Sequence, residues 1–468
     1  MYLDKHVAGR CAAQAAASLS RAGMEQPDFV ATVRGDLADW RQWLARIVVL
    51  AHAAAAGLAV VGFIWLCDRA LQGFAMLHAW HPWAPLVWTP ALTAAIAWLT
   101  RQRAPGAAGS GIPQVMAALS PSVVPAQRIG LVSLRLSLQK TVLTAGGLLA
   151  GLAIGREGPS VQIAAGILQH AQRWLPQRTA ITEHALLVAG GAAGIAAVFN
   201  APLAGVMFAI EELTRKIEQR SSGLIVAAIV LSGLMAVSIY GNSTYFGVIR
   251  VPHLGARYLL PGLLVVLGCG LLGGFFSRLL HTSIAGAGKD RFSGWRRVHP
   301  IRFAAGCGLA IAVLGLVSGG STFGSGYDYT RRLIEGHTDM PVLYVTLRLV
   351  ATWLAVWSGV PGGLFAPSLA IGAGVGNDVA LMMQMGDGSA PLIALGMTAF
   401  LAAVTQAPIT AFIIVMEMVD GHAMVLSLMA AALLSSVIAR WLSRPLYAAL
   451  AQDTLRRLGH ADPVPHAA

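Results

Sequence analysis

Ala196-Ala197-Val198-Phe199-Asn200-Ala201-Pro202-Leu203-Ala204 returns 206 residues later as Ala402-Ala403-Val404-Thr405-Gln406-Ala407-Pro408-Ile409-Thr410. Each copy runs on into an apolar, helix-like stretch that ends in acid, Glu211 and Glu212 in the first and Glu417 in the second. A second match lies at nearly the same offset: Gly158-Pro159-Ser160-Val161 against Ala366-Pro367-Ser368-Leu369, each leading into an Ala- and Gly-rich helix. Two proline-anchored matches in one order read as an internal duplication rather than as a chance likeness of Ala-rich segments. Paired halves with Gly/Pro-interrupted apolar segments at corresponding places point to a transporter whose site lies between the repeats. Hydropathy leaves open whether the two copies cross the bilayer in opposite directions.

Around this repeat the chain has the composition of a membrane protein. Of 468 residues, 56% are hydrophobic and 12% charged, against about 25% charged in a soluble domain. The runs Ile47–Cys67, Leu224–Tyr240, Tyr258–Phe276, Phe303–Val317 and Ala423–Ile438 approach the roughly 20 apolar residues that cross a hydrocarbon core. The expected organisation is an N-terminal cytoplasmic segment (1–45), a first membrane repeat (46–220), a second (221–450) and a short cytoplasmic tail (451–468). No apolar core precedes Ile47, which argues against a cleaved secretory signal. Basic residues gather between the apolar runs, as at Arg101 and Arg103, Arg215 with Lys216 and Arg220, Lys289 to Arg302, and Arg456 with Arg457. By the positive-inside rule these are cytoplasmic loops. A multi-pass membrane protein with both termini in the cytoplasm is expected.

The net charge of +12 sits in these loops without a nucleic-acid recognition fold, so nucleic acid is not an expected partner. Cys11, Cys67, Cys269 and Cys307 are far apart and form no CxxC pair. No metal or cofactor is expected. There is no HExxH and no G-x-S-x-G, and His78 and His81, beside Trp80 and Trp83, read as part of an interfacial aromatic belt. Nothing here points to an enzyme.

Three interrupted segments carry the chemistry: Gly109-Ser110-Gly111-Ile112-Pro113, Gly155-Arg156-Glu157-Gly158-Pro159, and Gly362-Gly363-Leu364-Phe365-Ala366-Pro367. Each ends in proline and continues as a helical pattern. Proline in a first turn loses no needed N–H, and the glycines ahead of it let the chain turn sharply. A helix that begins at membrane depth presents unpaired N–H groups and partial positive charge, and so attracts an anion. Inside hydrocarbon those groups must be satisfied. Dipoles that replace an anion's hydration shell bind it without the full countercharge that would hold it too tightly.

In these motifs, and in the late Tyr447, the chain closely resembles the CLC chloride channels and chloride/proton exchangers. The family signatures GSGIP, GREGP and GxFxP are matched by Gly109 to Pro113, Gly155 to Pro159 and Gly363 to Pro367, in the family's order. The resemblance covers nearly the whole membrane portion and implies an all-α integral membrane fold, an inverted-repeat bundle of many tilted and broken helices. It further implies a homodimer with one pore per subunit, and an anion held by Ser110, Tyr447 and the backbone N–H groups of Leu364 and Phe365. A hydroxyl and a phenol are neutral donors, as such a site requires. Apart from the resemblance, Ser110 also reads as a helix cap and Tyr447 as a belt residue beside Trp441.

The resemblance makes Glu157 the external gate and proton carrier, and Glu212 the internal proton-transfer acid that exchangers carry and channels usually lack. Chloride ions, protons and the lipid bilayer are then the partners, and proton-coupled chloride exchange is the expected function, with a passive chloride channel as its alternative. Of the neighbours Glu211 and Glu212, one is expected to face loop solvent beside Arg215 and Lys216, and Glu417 and Asp420 to have structural roles. Relatives often carry acids after GSGIP, where this chain has Gln114, Val115 and Met116, so a buried acid that would partner Arg156 is expected to be missing. The roughly eighteen residues after Leu450 are too few for the nucleotide-sensing CBS pair that many relatives append, so no regulation by ATP is expected.

Overall fold

The computed structural model describes residues 40–460, apart from 177, 178, 180, 215–221, 242, 243, 250–254, 287, 289, 338–340 and 342. Most of the N-terminal segment, Cys11, Arg215, Lys216, Arg220, Lys289 and the end of the tail therefore lie outside the described residues. The first half contains α1 (Trp40–Trp80), α2 (Pro85–Arg103), α3 (Ile112–Ala118), α4 (Pro125–Leu131), α5 (Leu134–Leu149), α6 (Glu157–His170), α7 (Glu183–Phe199) and α8 (Pro202–Phe208). There follow α9 (Ser222–Tyr240), α10 (Leu259–Ala285), α11 (Arg291–Val298), α12 (Pro300–Val317), α13 (Tyr327–Ile334) and α14 (Tyr344–Trp357). The chain closes with α15 (Phe365–Met382), α16 (Ser389–Thr405), α17 (Pro408–Met418), α18 (Val425–Arg440) and α19 (Leu446–Arg457).

Six of these helices are long and apolar enough to cross a bilayer, and five of them contain the runs read from the sequence. The sixth, α15, differs in its surroundings: 72% of its apolar window is buried, against 33–44% in the other five. The other five therefore turn much of their surface to lipid, while α15 is enclosed by protein. The 41 residues of α1 extend about 60 Å at 1.5 Å per residue, twice the hydrocarbon thickness, so it crosses obliquely or projects beyond the bilayer. It is helical from Trp40, ahead of the expected boundary at 46, and α19 carries helix past Leu450 to Arg457.

The duplication is visible in the backbone. Asn200 ends α7 with φ 55° and ψ 38°, and Gln406 ends α16 with φ 59° and ψ 32°. Ala201 and Ala407, next in each copy, have ψ 79° and 78° and deliver Pro202 and Pro408 into the first turns of α8 and α17. Arg156 precedes α6 at φ −106°, ψ −9°, and Leu364 precedes α15 at φ −113°, ψ −12°. The residues just before these, Gly155 and Gly363, exchange both backbone hydrogen bonds, at 2.8 and 2.7 Å, in an isolated antiparallel bridge. A residue that pairs with its own counterpart in antiparallel fashion lies beside a twofold axis, so the copies run in opposite directions. The repeat is inverted, and the whole is an all-α, multi-pass membrane bundle.

Small residues let the inner helices approach closely, as membrane interfaces require. A Cβ on Gly194 of α7 would lie 2.5 Å from Ser160 O of α6. In the second half, a Cβ on Gly396 of α16 would lie 2.1 Å from Gly372 O of α15. Gly62, on α1, has open space where a Cβ would go. Gly396→Ala is accordingly expected to separate α15 from α16 and lower stability by about 1–3 kcal/mol, seen as a reduced Tm in detergent, with Gly62→Ala leaving Tm within error of wild type.

Candidate functional site

Four chain segments meet at the bridge between the repeats. Gly362 N–H donates to Gly109 O at 3.2 Å, which ties the loop before α15 to the loop before α3. Gly109 and Gly111, at φ 75° and 111°, place Ser110 between two left-handed turns that a side chain would strain. The Ser110 hydroxyl reaches α6 so closely that a Cβ at Gly158 would stand 2.2 Å from its Oγ. From the end of the chain, Tyr447 enters on α19 with its ring centroid 5.9 Å from that of Phe365. Phe365 is in turn stacked on Phe199 at 6.2 Å. Ser110, Glu157, Leu364, Phe365 and Tyr447 are all buried together there.

Burial leaves several polar atoms unsatisfied, which is rare in a folded protein and calls for an explanation. Among the described residues, Ser110 Oγ, Tyr447 Oη and both Glu157 carboxylate oxygens have no hydrogen-bond partner. The two hydroxyls face each other without meeting in a well-formed bond. The Glu157 carboxylate folds back over the bridge, where a Cβ at Gly155 would lie 2.1 Å, and one at Gly363 3.0 Å, from its Oε2. The N–H groups of Arg156, Glu157 and Ala366 lie within its electrostatic reach. Ser110 is not a helix cap. That task falls to Gln114, whose Oε1 accepts from Gly111 N–H at 3.0 Å and whose Nε2 donates to Ala108 O at 2.6 Å. Tyr447 is buried, not interfacial. Pro113 and Pro159 both fall in the first turns of their helices, α3 and α6.

Arg156 does have an acid. Its Nη1 donates to Asp68 Oδ1 at 2.6 Å and its Nη2 to Tyr245 Oη at 3.0 Å. The residues after GSGIP supply no acid; the partner comes instead from α1, where the Asp68 side chain stays half-exposed, and no local pattern links α1 to α6. Arg156 and Asp68 line a cavity of about 580 Å³ together with His78 and Tyr245. His78 thus departs from the belt reading. Trp80 and Trp83 are exposed at 82% and 64%, but the His78 ring lies 5.5 Å from Phe323, against the cavity.

The two neighbouring acids also separate. The chain at Ala209–Leu213 forms a π turn, and successive residues on a helix point roughly 100° apart. Glu212 turns inward and is buried. Glu211 does not face loop solvent. Its Oε1 and Oε2 accept from Ile409 N–H and Thr410 N–H, the bare first turn of α17, at 3.0 and 2.6 Å. Glu417 returns the same contact, accepting from Leu203 N–H and Ala204 N–H of α8 at 3.3 and 2.7 Å. At the repeat offset, Glu211 is therefore the counterpart of Glu417, and Glu212 that of the buried Met418.

Two buried cations escaped the sequence reading. Lys140 Nζ donates to Ala107 O and Gly109 O at 2.8 and 2.6 Å, holding the loop that carries Ser110. Its counterpart 208 residues on is Arg348, which donates to Thr322 O and Gly324 O at 2.9 and 2.7 Å. Both are fully buried and have no acidic partner among the described residues. The available signal was a lone cation inside an apolar segment, recurring at the repeat offset.

Inverted repeats that bring broken helices to a common point inside an apolar bundle define a membrane transport protein. The profile of the voltage gated chloride channel family matches residues 92–440, and the chain belongs to that family. It is 30% identical over 400 residues to the H(+)/Cl(-) exchange transporter ClcA of Salmonella paratyphi A, covering 81% of each chain. A solved structure of a slow cyanobacterial Cl−/H+ antiporter is similar, with a TM-score of 0.77 at 25% identity over 89% of this chain and 99% of that one. A CLC-type fluoride/proton antiporter shares the fold, with a TM-score of 0.69 at 20% identity over 87% and 97% of the two chains.

The reciprocal caps give a direct expectation. Glu211→Ala and Glu417→Ala should each lower stability by about 1–2 kcal/mol, the usual cost of losing a cap with its charge. Measured as Tm in detergent, the two losses should match each other, and Glu212→Ala, which leaves both caps intact, should lose less.

Proposed function

We propose that the chain exchanges chloride for protons across the membrane. The observation that carries this reading is the Glu157 carboxylate, fully buried and without a bonded partner, folded over the paired starts of α6 and α15 beside the unbonded Ser110 and Tyr447 hydroxyls. An anionic group in that position is a stand-in for an anion. Ionised, Glu157 competes with chloride for the helix dipoles; protonated, it loses its claim on them and can swing away as chloride enters. One carboxyl group then serves as the gate for the anion and the carrier of the proton.

Chloride is held in this reading by the Ser110 and Tyr447 hydroxyls and the N–H groups of Leu364 and Phe365. Gly109, Gly111, Pro113, Gly155, Arg156, Gly158, Pro159 and Gly363 set the backbone around it. Glu212 passes protons between Glu157 and the cytoplasmic side. The asymmetry of the repeat supports this assignment: the capping acid is present in both halves, whereas Glu157 and Glu212 are replaced in the second half by Phe365 and Met418. The similarity to the Salmonella exchange transporter and the cyanobacterial antiporter supports the same substrates. No covalent chemistry is required. A homodimer in the inner membrane, with both termini in the cytoplasm, belongs to the same proposal.

In sealed liposomes a chloride gradient should drive protons uphill, read as a pH change inside the vesicles. Chloride flux with no pH change would replace exchange by passive conduction. Glu157→Ala should keep chloride flux and lose proton movement, as should Glu212→Gln, whereas proton movement lost through Glu211→Gln alone would reverse the choice between neighbours.

A further inference from the structure

Two adjoining cavities, of about 330 and 310 Å³, share Arg101, Arg296 and Arg457, and Arg297 lines the larger one. These residues come from three distant parts of the chain: the end of α2, the amphipathic α11 and the end of α19. None of the residues lining either cavity is acidic. The described acids nearest along the chain are engaged elsewhere: Asp290 caps α11, accepting from Ser293 N–H at 3.0 Å and Ser293 Oγ at 2.7 Å, and Asp453 pairs with His281 Nε2 at 3.0 Å and Arg456 Nη1 at 3.6 Å.

Helix capping accounts for part of this arrangement. Arg296 donates to Ser283 O at 2.6 Å and Arg457 to Ile284 O at 3.4 Å, both near the end of α10, where cations suit the dipole. Each guanidinium has five donors, however, and these bonds use one apiece. Arg101 and Arg297 have no carboxylate partner among the described residues. Helix capping therefore explains neither the number of arginines nor their convergence on shared space. Burial, with the Arg457 and Arg101 charges beside it, holds the Arg296 guanidinium below its ordinary value, as expected of a cation among cations.

Helix α11 adds the second observation. Phe292, Trp295 and Val298, spaced by three, are exposed at 62%, 40% and 70%, an apolar stripe beside Arg296 and Arg297. A short basic helix with an exposed aromatic stripe lies in the bilayer interface, its apolar side against acyl chains and its cations at headgroup depth. The structure assigns to this arginine cluster a phosphate-binding role, and we infer that the ligand is the headgroup of an anionic phospholipid whose chains lie along α11. Guanidinium forks match phosphate oxygens in geometry and charge.

The smaller cavity is also lined by Pro105 and Ala108, which precede Ser110, and by Ser358 and Gly359, which precede Gly362. A bound headgroup would thus sit against both loops that enter the anion site and would neutralise the arginines around them.

The test is native mass spectrometry of the purified full-length protein in zwitterionic detergent, with short-chain phosphatidylglycerol, the matching phosphatidylcholine and inorganic phosphate as separate probes. Phosphatidylglycerol should bind and phosphatidylcholine should not. Affinity should fall about tenfold in Arg296→Gln and further in Arg296→Gln/Arg457→Gln, the scale of one charged hydrogen-bonding partner. Arg296→Lys should recover most of it, which a merely misfolded protein would not. Inorganic phosphate that displaces the lipid one for one would overturn the lipid assignment in favour of a soluble phosphate ligand. Equal phosphatidylglycerol binding by wild type and the double variant, both monodisperse on size exclusion, would overturn the site itself.

Discussion

The two hydrogen bonds between Gly155 and Gly363 are the constraint on which the rest of the site depends. They fasten the starts of α6 and α15 to each other at the meeting of the repeats. Each start brings N–H groups without internal acceptors, a liability in hydrocarbon and an asset for an anion. Neither glycine has room for a side chain: a Cβ at Gly155 would lie 2.1 Å from Glu157 Oε2, and one at Gly363 would lie 3.0 Å from both Glu157 Oε2 and Gly158 N. One short backbone contact therefore fixes the positive ends of two helices and leaves room for the Glu157 carboxylate folded over them.

Symmetry separates architecture from chemistry in this chain. The features present twice are structural: the left-handed helix ends at Asn200 and Gln406, the exchanged caps of Glu211 and Glu417, and the buried cations Lys140 and Arg348, each bonded to the carbonyls of a glycine-rich loop. Glu157 and Glu212, the acids to which proton movement is assigned, are each present once. An inverted repeat by itself has no preferred direction. Acids confined to one half give the two sides of the membrane different chemistry.

Much of this was legible in the sequence because it is local. Five apolar runs became long helices, the proline-anchored repeat became an inverted duplication, and the three Gly/Pro motifs became helix starts at one junction. What was not legible depends on contacts between segments far apart in the chain. Asp68 finds Arg156 across 88 residues, and Glu211 finds α17 across about 200, separations at which composition and period carry no signal. The count of spans was equally hidden, because α7, α14, α16 and α17 are apolar but only 11 to 17 residues long, at or below the shortest span, and hydropathy registers them without their length. Lys140 and Arg348 were readable in principle, but only once the repeat offset was applied to charges rather than to prolines.

The exchanged caps also bear on how the protein is made. Helix α8 has only seven residues, and its first N–H groups are satisfied by a carboxylate 213 and 214 residues further along the chain. At ribosomal speeds of about 5–20 residues per second, roughly ten to forty seconds separate the synthesis of the helix from that of its cap. During that interval the first half is threaded into the membrane with an unfinished end, and its own Glu211 has no helix to serve. Neither half is then a self-sufficient folding unit, and assembly of the junction must wait until nearly the whole chain has left the ribosome.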